Sequence, residues 1–461
     1  MTTLPAEFLR TCAVALGDDG WRTDPAERLG YAYDNSRRHA LPDAVALPQD
    51  ARQVQALVRA CRQHRVPLTA RGRGTNTTGA AVPVAGGIVV SFERMDRILD
   101  IRPGDRCAVV EPGVLNGDLQ RALAPSGLFW PPDPTSADYS TIGGNLACNA
   151  GGPRAVKYGA SRDNVLALDV VAGTGELLRL GSATTKGATG YDLTRLLVGS
   201  EGTLGLIVQA TLKLAPRASH RRSLRALYPD VDSAAGAVSR LMAQPVTPSM
   251  LEFMDGESLR LARDVGGVDL PQQAGALLMI EVDGDAAALP AAVVALTAVA
   301  SEGALAVDVA SDAASDAQLW AARKALSPTL RTLASGKLNE DVVVPVSRIP
   351  QLVRGVQDLA REFDLPIVSF GHAGNGNLHV NILFDATDSE QTSHAHAAMA
   401  RVFALALSLG GTLSGEHGIG LLKRDFMVQA IEPETLAAMR AIKRVFDPDG
   451  ILNPGKLLPE G

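Results

Sequence analysis

Apolar positions along this chain fall into two textures that meet near residues 216–223. Before that junction, short β-branched and apolar runs at 66–70, 87–92, 107–111, 165–172 and 205–214 read as strands, bounded by glycine, proline or asparagine. One helix interrupts them at 50–64, with Asp50 as N-cap and Val54, Leu57, Val58 and Cys61 recurring on one face. This is the pattern of an α+β domain with a large, glycine-laden sheet. Beyond the junction, strand-like runs at 223–228, 250–254, 277–282, 304–309 and 342–344 alternate with helical spacing at 234–242, 286–301, 317–333 and 349–363. Such alternation predicts a sheet with helices packed on one face. A further helix at 393–409 stops at Gly410 and Gly411. Residues 438–458 carry a helix and then DPDGILNPGK, a turn-rich tail able to return to the first domain.

Within the second texture, GHAGNGNLHV at 371–380 lies between the apolar runs 367–370 and 380–384. Asn-Gly between apolar runs predicts a hairpin, with His372 and His379 facing each other where its strands enter the turn. Strand alternation puts Asn381 on the face of His379 and turns Val380 and Ile382 to the core. Two imidazoles held in this way suit a divalent cation, with Glu416 or His417 of GEHG completing the site. A pair of structural histidines is the alternative at this level of reading. Adjacent side chains diverge on extended backbone, so bringing both Glu416 and His417 to one site requires Gly415 and Gly418 to bend the chain.

A length of 461 residues suggests two or three domains, and 46% hydrophobic with 20% charged residues is the balance of a soluble enzyme. Net charge is -6 with no basic stripe, which argues against nucleic acid as a partner. The cysteines at 12, 61, 107 and 148 have no paired spacing, as expected in a reducing compartment. No secretory signal opens the chain, and the alanine-rich run 286–301 contains Pro290 and is shorter than the roughly 20 apolar residues of a membrane span. It reads as a buried helix, no transmembrane segment is expected, and the cytoplasm is the default location.

RGRGTNTTG follows the strand-like VPLTA. Its glycines let backbone N–H groups converge on an anion, and Asn76 and the threonine hydroxyls add donors. The spacing is not that of a dinucleotide-binding fingerprint, because GAAVPVAGG follows rather than a helix. TIGGNLACNAGG at 141–152 and GSEGTLG at 199–205 are two more segments built for close approach, so the three together suit a long cofactor with its pyrophosphate on the first.

RGRGTNTTG, PPDPTS, STIGGNLACNAGG, KYG, TGYDL and GSEGTLGLIV, in this order, resemble the FAD-binding (PCMH-type) domain of the vanillyl-alcohol oxidase type. EDVVVPVSRIP, GHAGNGNLHVNI, SGEHGIG and FDPDGILNPGK resemble the C-terminal domain of FAD-linked oxidases, on the D-2-hydroxyglutarate and D-lactate dehydrogenase branch. The resemblance spans nearly the whole chain. It implies an FAD-binding domain over 1–216, a sheet-and-helix, ferredoxin-like substrate or cap domain over 217–420, and a tail over 421–461 packed back on the first. It further implies non-covalent FAD, since the first loop has no histidine and Cys148 reads as a small packing residue. The implied FAD contacts are Arg71, Gly72, Gly74, Thr75, Asn76, Thr77, Thr78, Gly79, Pro132 and Thr135 in the first segments. Thr141, Gly143, Gly144, Asn145, Asn149, Gly151, Gly202, Ile207 and Asn453 complete the set.

Oxidising a 2-hydroxy acid requires a carboxylate anchor, loss of the hydroxyl proton and an acceptor for the C2 hydride. By resemblance, flavin N5 is the acceptor, His372, His379 and Glu416 bind zinc or manganese, and His417 is the base. Arg323 is the implied anchor on a face shared with Trp320 and Ser327, and Asn381 contacts the substrate. Lys337, with Asn339 competing for the same aligned position, resembles a cation for a distal carboxylate and tilts the expectation from D-lactate toward D-2-hydroxyglutarate. The implied electron acceptor is an electron-transfer flavoprotein, cytochrome or quinone, and a homodimer is compatible. A glycolate oxidase-like subunit on the same fold, a flavin-independent metal hydrolase and a non-catalytic flavin protein are the competing readings.

Overall fold

The computed structural model describes residues 4–460, apart from the side chains of Asp18, Ser327, Pro328 and Arg331. Two compact units emerge. One comprises Met1–Gly152, Gly159–Arg217 and Glu416–Gly461, and the other Pro153–Tyr158 and Ala218–Gly415. The second unit thus ends at Gly415 rather than at 420, and it takes in a short stretch that the sequence texture assigns to the first. Hydrogen bonding explains both limits. The Gly415 N–H is bound by the Asp341 carboxylate at 2.9 Å, whereas the N–H groups of Ile419 and Gly420 donate to Glu201 of the first unit. Lys157 and Tyr158 are tied to Asp283, the hydroxyl at 2.7 Å.

The first unit holds a four-stranded sheet in the order Trp21–Arg22, Ala44–Ala46, Ile88–Ser91, Leu68–Arg71, the last three parallel. Helix Ala51–His64 starts where the Asp50 carboxylate accepts the Gln53 N–H at 2.9 Å, and it buries Val54, Leu57, Val58 and Cys61. A second, antiparallel sheet runs Ile98–Arg102, Cys107–Val110, Leu206–Lys213, Val165–Val171, Leu177–Gly181. Its apolar face packs around the buried Trp130, whose indole N–H donates to the Asn164 carbonyl at 2.9 Å.

The second unit is built on one antiparallel sheet of seven strands. Their spatial order is Ala306–Val309, His220–Tyr228, Ala276–Gly284, Met250–Asp255, Ile367–His372, Asn377–Phe384, Gly336–Val343. Helices cover both faces, not one. Successive residues Leu251, Glu252, Phe253 and Met254 are all buried, so each side of the sheet needs a layer. Gly256–Asp264, Ala313–Leu319 and Ala321–Leu333 cover the side bearing Met254, Met279 and Phe370. Val231–Ala243, Leu289–Ala300, Ile349–Glu362 and Ser389–Ser408 pack against the sheet as the other layer.

Two helical expectations change. The alanine-rich helix is not buried: Leu289–Ala300 buries only Leu289, Leu296 and Ala300, and Val294 is 69% exposed, because the helix is an outer layer with one face inward. The helix expected at 317–333 is two helices that part at Trp320, whose indole N–H donates to Ser223 Oγ at 2.9 Å. Among the described residues no helix is long and apolar enough to cross a membrane.

Candidate active site

In the first unit, strand Leu68–Arg71 delivers the glycine-rich loop. Asn76 folds it: its Oδ1 accepts from the N–H groups of Thr78 and Ala80 and from the Thr78 hydroxyl, at 2.9–3.1 Å. Its Nδ2 donates to the His417 carbonyl at 2.9 Å, so this loop also fixes the backbone of GEHG. Helix Ile142–Cys148 begins where Thr141 Oγ1 accepts the Gly144 N–H, and it ends at Asn149 in the left-handed region. Gly143 is required there, since a Cβ would stand 2.5 Å from Pro112 Cβ and 2.9 Å from its carbonyl oxygen. Gly151 accepts the Asp133 N–H, which joins NAGG to PPDPTS. Pro132 is buried beside them. Asn453 donates to the carbonyls of Ala80 and Glu201 at 2.9 and 2.7 Å, drawing together the first loop, the GSEGTLG segment and the tail. Gly202 follows with φ of 71°, and Ile207 is buried in the adjoining core.

Arg71 and Thr135, both in the expected set, have environments of their own. The Arg71 guanidinium is buried and donates to the carbonyls of Tyr33 and Gly30 at 2.6 and 3.1 Å, so its charge braces the preceding segment. Thr135 is exposed to solvent. The Cys148 thiol is pushed up to about 12 by burial, with Asn76 Nδ2 donating to its sulfur at 3.4 Å, so it stays a neutral thiol.

Thr77 Oγ1 and Asn145 Nδ2 are buried in this cradle with no hydrogen-bond partner among the described residues. Unpaired buried polar atoms are costly, and a polar ligand such as FAD supplies the partners they lack. The cradle fits that cofactor.

The second unit gathers its chemistry on one sheet face. The hairpin strands Ile367–His372 and Asn377–Phe384 pair so that Phe370 lies opposite His379 and His372 opposite Asn377. The two histidines are therefore diagonal neighbours rather than a facing pair. Their ring centroids are 5.2 Å apart with planes at 87°. Asp341 pairs with His379, Asn339 with Asn381 and Lys337 with Leu383, so all three project from the face that carries the histidines. This register gives Lys337 and Asn339 successive places on that face. Glu416 follows Gly415, whose backbone Asp341 holds, and ligand atoms of His372, His379 and Glu416 all lie within 4.8 Å of one another. Two imidazoles and a carboxylate are a donor set suited to zinc or manganese.

The Oδ1 atoms of Asn339 and Asn381 are buried without a partner among the described residues, although Asn381 Nδ2 donates to the His379 carbonyl at 3.1 Å. Paired across the strands, these amides can offer acceptors or, turned over, donors to a polar ligand. Arg323 reaches the same face from helix Ala321–Leu333, with its guanidinium 4.6 Å from the Phe370 ring centroid. The Ser327 side chain lies outside the described residues.

Sequence reasoning missed three buried carboxylates. Glu252 touches both His372 and Arg323, Asp341 holds Ser414 and Gly415, and Glu201 holds Ile419 and Gly420. Burial raises Glu201 to about 7, and burial lowers nearby Lys456 to about 8. The available signal was an acidic residue inside an otherwise apolar or glycine-rich run, as in MLEFMD and GSEGTLG.

The family described as FAD linked oxidases, C-terminal domain, matches residues 217–457, and an FAD binding domain family matches 42–181. The chain belongs to the FAD-linked oxidases. It is 40% identical to the glycolate oxidase subunit GlcD of Bacillus subtilis (strain 168), over 96% of this chain and 94% of that one. It is 36% identical to a D-lactate dehydrogenase of Anaerostipes hadrus, over 91% and 90%. It is also 36% identical to a D-2-hydroxyglutarate dehydrogenase of Stutzerimonas stutzeri (strain A1501), over 94% and 95%. A solved structure of p-cresol methylhydroxylase shares the fold at a TM-score of 0.81, with 17% identity over 98% of this chain and 96% of that one. This FAD-linked oxidase is accordingly an oxidoreductase that joins an FAD-binding domain to the family's C-terminal domain of mixed sheet and helix.

Proposed function

We propose that the protein oxidises a D-2-hydroxy acid to the 2-oxo acid, with non-covalent FAD and a divalent cation, D-2-hydroxyglutarate being the favoured substrate. The observation that carries this reading is the sheet face on which His372, His379, Asn381, Asn339 and Lys337 project together, with Glu416 within ligand distance of the two imidazoles. His372, His379 and Glu416 would hold zinc or manganese. FAD, when bound, would supply a hydride acceptor, and a cation held by these residues would supply Lewis acidity toward the substrate hydroxyl. Arg323 anchors the C1 carboxylate, Asn381 orients the hydroxyl-bearing carbon, and His417 takes the hydroxyl proton. An imidazole is the side chain whose chemistry suits a base at neutral pH. Lys337 provides the second cation that a dicarboxylate needs. The neutral Cys148 thiol and the lack of histidine in 71–79 support non-covalent FAD. Electrons then pass to a flavoprotein, cytochrome or quinone acceptor.

The test is anaerobic titration of the yellow protein with D-2-hydroxyglutarate, D-lactate and glycolate, before and after chelator treatment. D-2-hydroxyglutarate should bleach the flavin most efficiently, its L-enantiomer should not, and the chelator should stop the reaction. Absorbance that stays unchanged with every D-2-hydroxy acid would sink the proposal. A second reading, a glycolate-oxidising subunit of a larger assembly, draws on the identity of 40% to a glycolate oxidase subunit. Preferential bleaching by glycolate, with co-purifying subunits, would favour it.

A further inference from the structure

We infer that Glu252 is a positioning residue that sets two groups of the proposed site at once, the ligand imidazole of His372 and the Arg323 guanidinium. This rests on the proposed metal and substrate-anchor roles of those two residues. Glu252 lies on strand Met250–Asp255, directly opposite His372 of the neighbouring strand. Its side chain is 1% exposed, so its two oxygens must find partners within the protein. They find different ones. Oε1 meets His372 Nδ1, and Oε2 accepts the Arg323 Nε–H at 3.0 Å.

The chemistry of this bridge is directional. An ionised carboxylate only accepts, so the imidazole must present a protonated Nδ1 to it. That choice of tautomer leaves His372 Nε2 with the lone pair a metal requires. On the other side, Arg323 is fixed both by Oε2 at its Nε and by the Phe370 ring beneath its guanidinium, at 4.6 Å. Phe370 pairs in register with His379, so the arginine is referenced to both histidine-bearing strands. One carboxylate therefore coordinates the cation ligand with the substrate anchor, and its removal should disturb two measurements that a purely structural residue would not couple.

The experiment uses the FAD-loaded full chain. Mn²⁺ binding is measured by calorimetry for the parent, Glu252→Gln and Glu252→Asp, and KM and kcat for D-2-hydroxyglutarate are then measured at saturating Mn²⁺. Glu252→Gln should weaken Mn²⁺ binding by about 10- to 100-fold with an unchanged flavin spectrum. At saturating Mn²⁺ its KM should remain raised by about tenfold, the size of one charge-assisted contact. Glu252→Asp, which keeps the charge, should recover part of both and serves if the glutamine variant does not fold. Parent-like Mn²⁺ affinity in both variants would overturn the inference alone. So would a KM that returns to the parent value once metal saturates. A parent protein that binds no Mn²⁺ or Zn²⁺ at all would instead remove the metal reading on which the inference stands.

Discussion

The cofactor cradle of the first unit and the imidazole face of the second are built by opposite means. In the cradle, the backbone does most of the positioning. Gly143 lets its helix approach Pro112, Gly202 turns the chain at positive φ, and Asn76 and Asn453 tie carbonyls and N–H groups of distant loops together. On the imidazole face, regular strands carry the side chains, and the cross-strand register decides which of them meet. A cofactor site of the first kind fails when space is filled. A site of the second kind fails when one donor atom is lost, while the sheet itself persists.

Two substitutions break this comparison most sharply. Gly143→Val should weaken FAD binding by about 10- to 100-fold, giving pale protein that still binds Mn²⁺, because the added Cβ would stand 2.5 Å from Pro112 Cβ and overpacking of this kind costs about 1–3 kcal/mol. His372→Ala should do the reverse: yellow protein, no detectable Mn²⁺ binding by calorimetry and no flavin reduction. Loss of colour in the second variant, or of metal in the first, would mean that the two sites are not separable. His417→Ala comes next. Its backbone carbonyl is held by Asn76, so FAD should stay bound while anaerobic flavin reduction slows by roughly 10²- to 10⁴-fold. A parent rate in stopped flow would reassign the base.

The smallest effect concerns Glu201. Burial raises its carboxyl to about 7 from an ordinary 4.5, so the folded chain favours the protonated form. Its contribution to stability is complete below pH 4.5 and is lost as pH rises through 7. Thermal unfolding of the parent and Glu201→Gln between about pH 5 and 8 should show the parent losing roughly 1–3 kcal/mol relative to the variant. A constant difference across that range would mean that Lys456 keeps the carboxylate ionised throughout.

Much of the cradle was legible along the chain. Glycine clusters and Asn-Gly pairs announce turns and close approach because few other residues adopt those backbones. The hairpin was legible for the same reason, and alternation correctly set Asn381 on the face of His379. Not legible was where the Arg71 guanidinium goes: it turns to Tyr33 and Gly30, since a buried fork takes whatever carbonyls the fold presents. The helices were expected on one face of the sheet because strands alternating with helices were read as one covering layer, whereas the nearly unbroken apolar runs MLEFM and LLMIEV are those of strands buried on both sides.

Local periodicity and turn chemistry act over a few residues, and so the amino-acid order by itself determined most of the strands, several of the longer helices, the glycine loops and the inventory of imidazoles and carboxylates. Only the tertiary structure decided which of these groups are neighbours. Glu252 and His372 are separated by 120 positions, and no local rule pairs them. Their contact exists because the order of seven strands and the register between two of them were fixed by burying both faces of one sheet, a constraint that belongs to the whole fold.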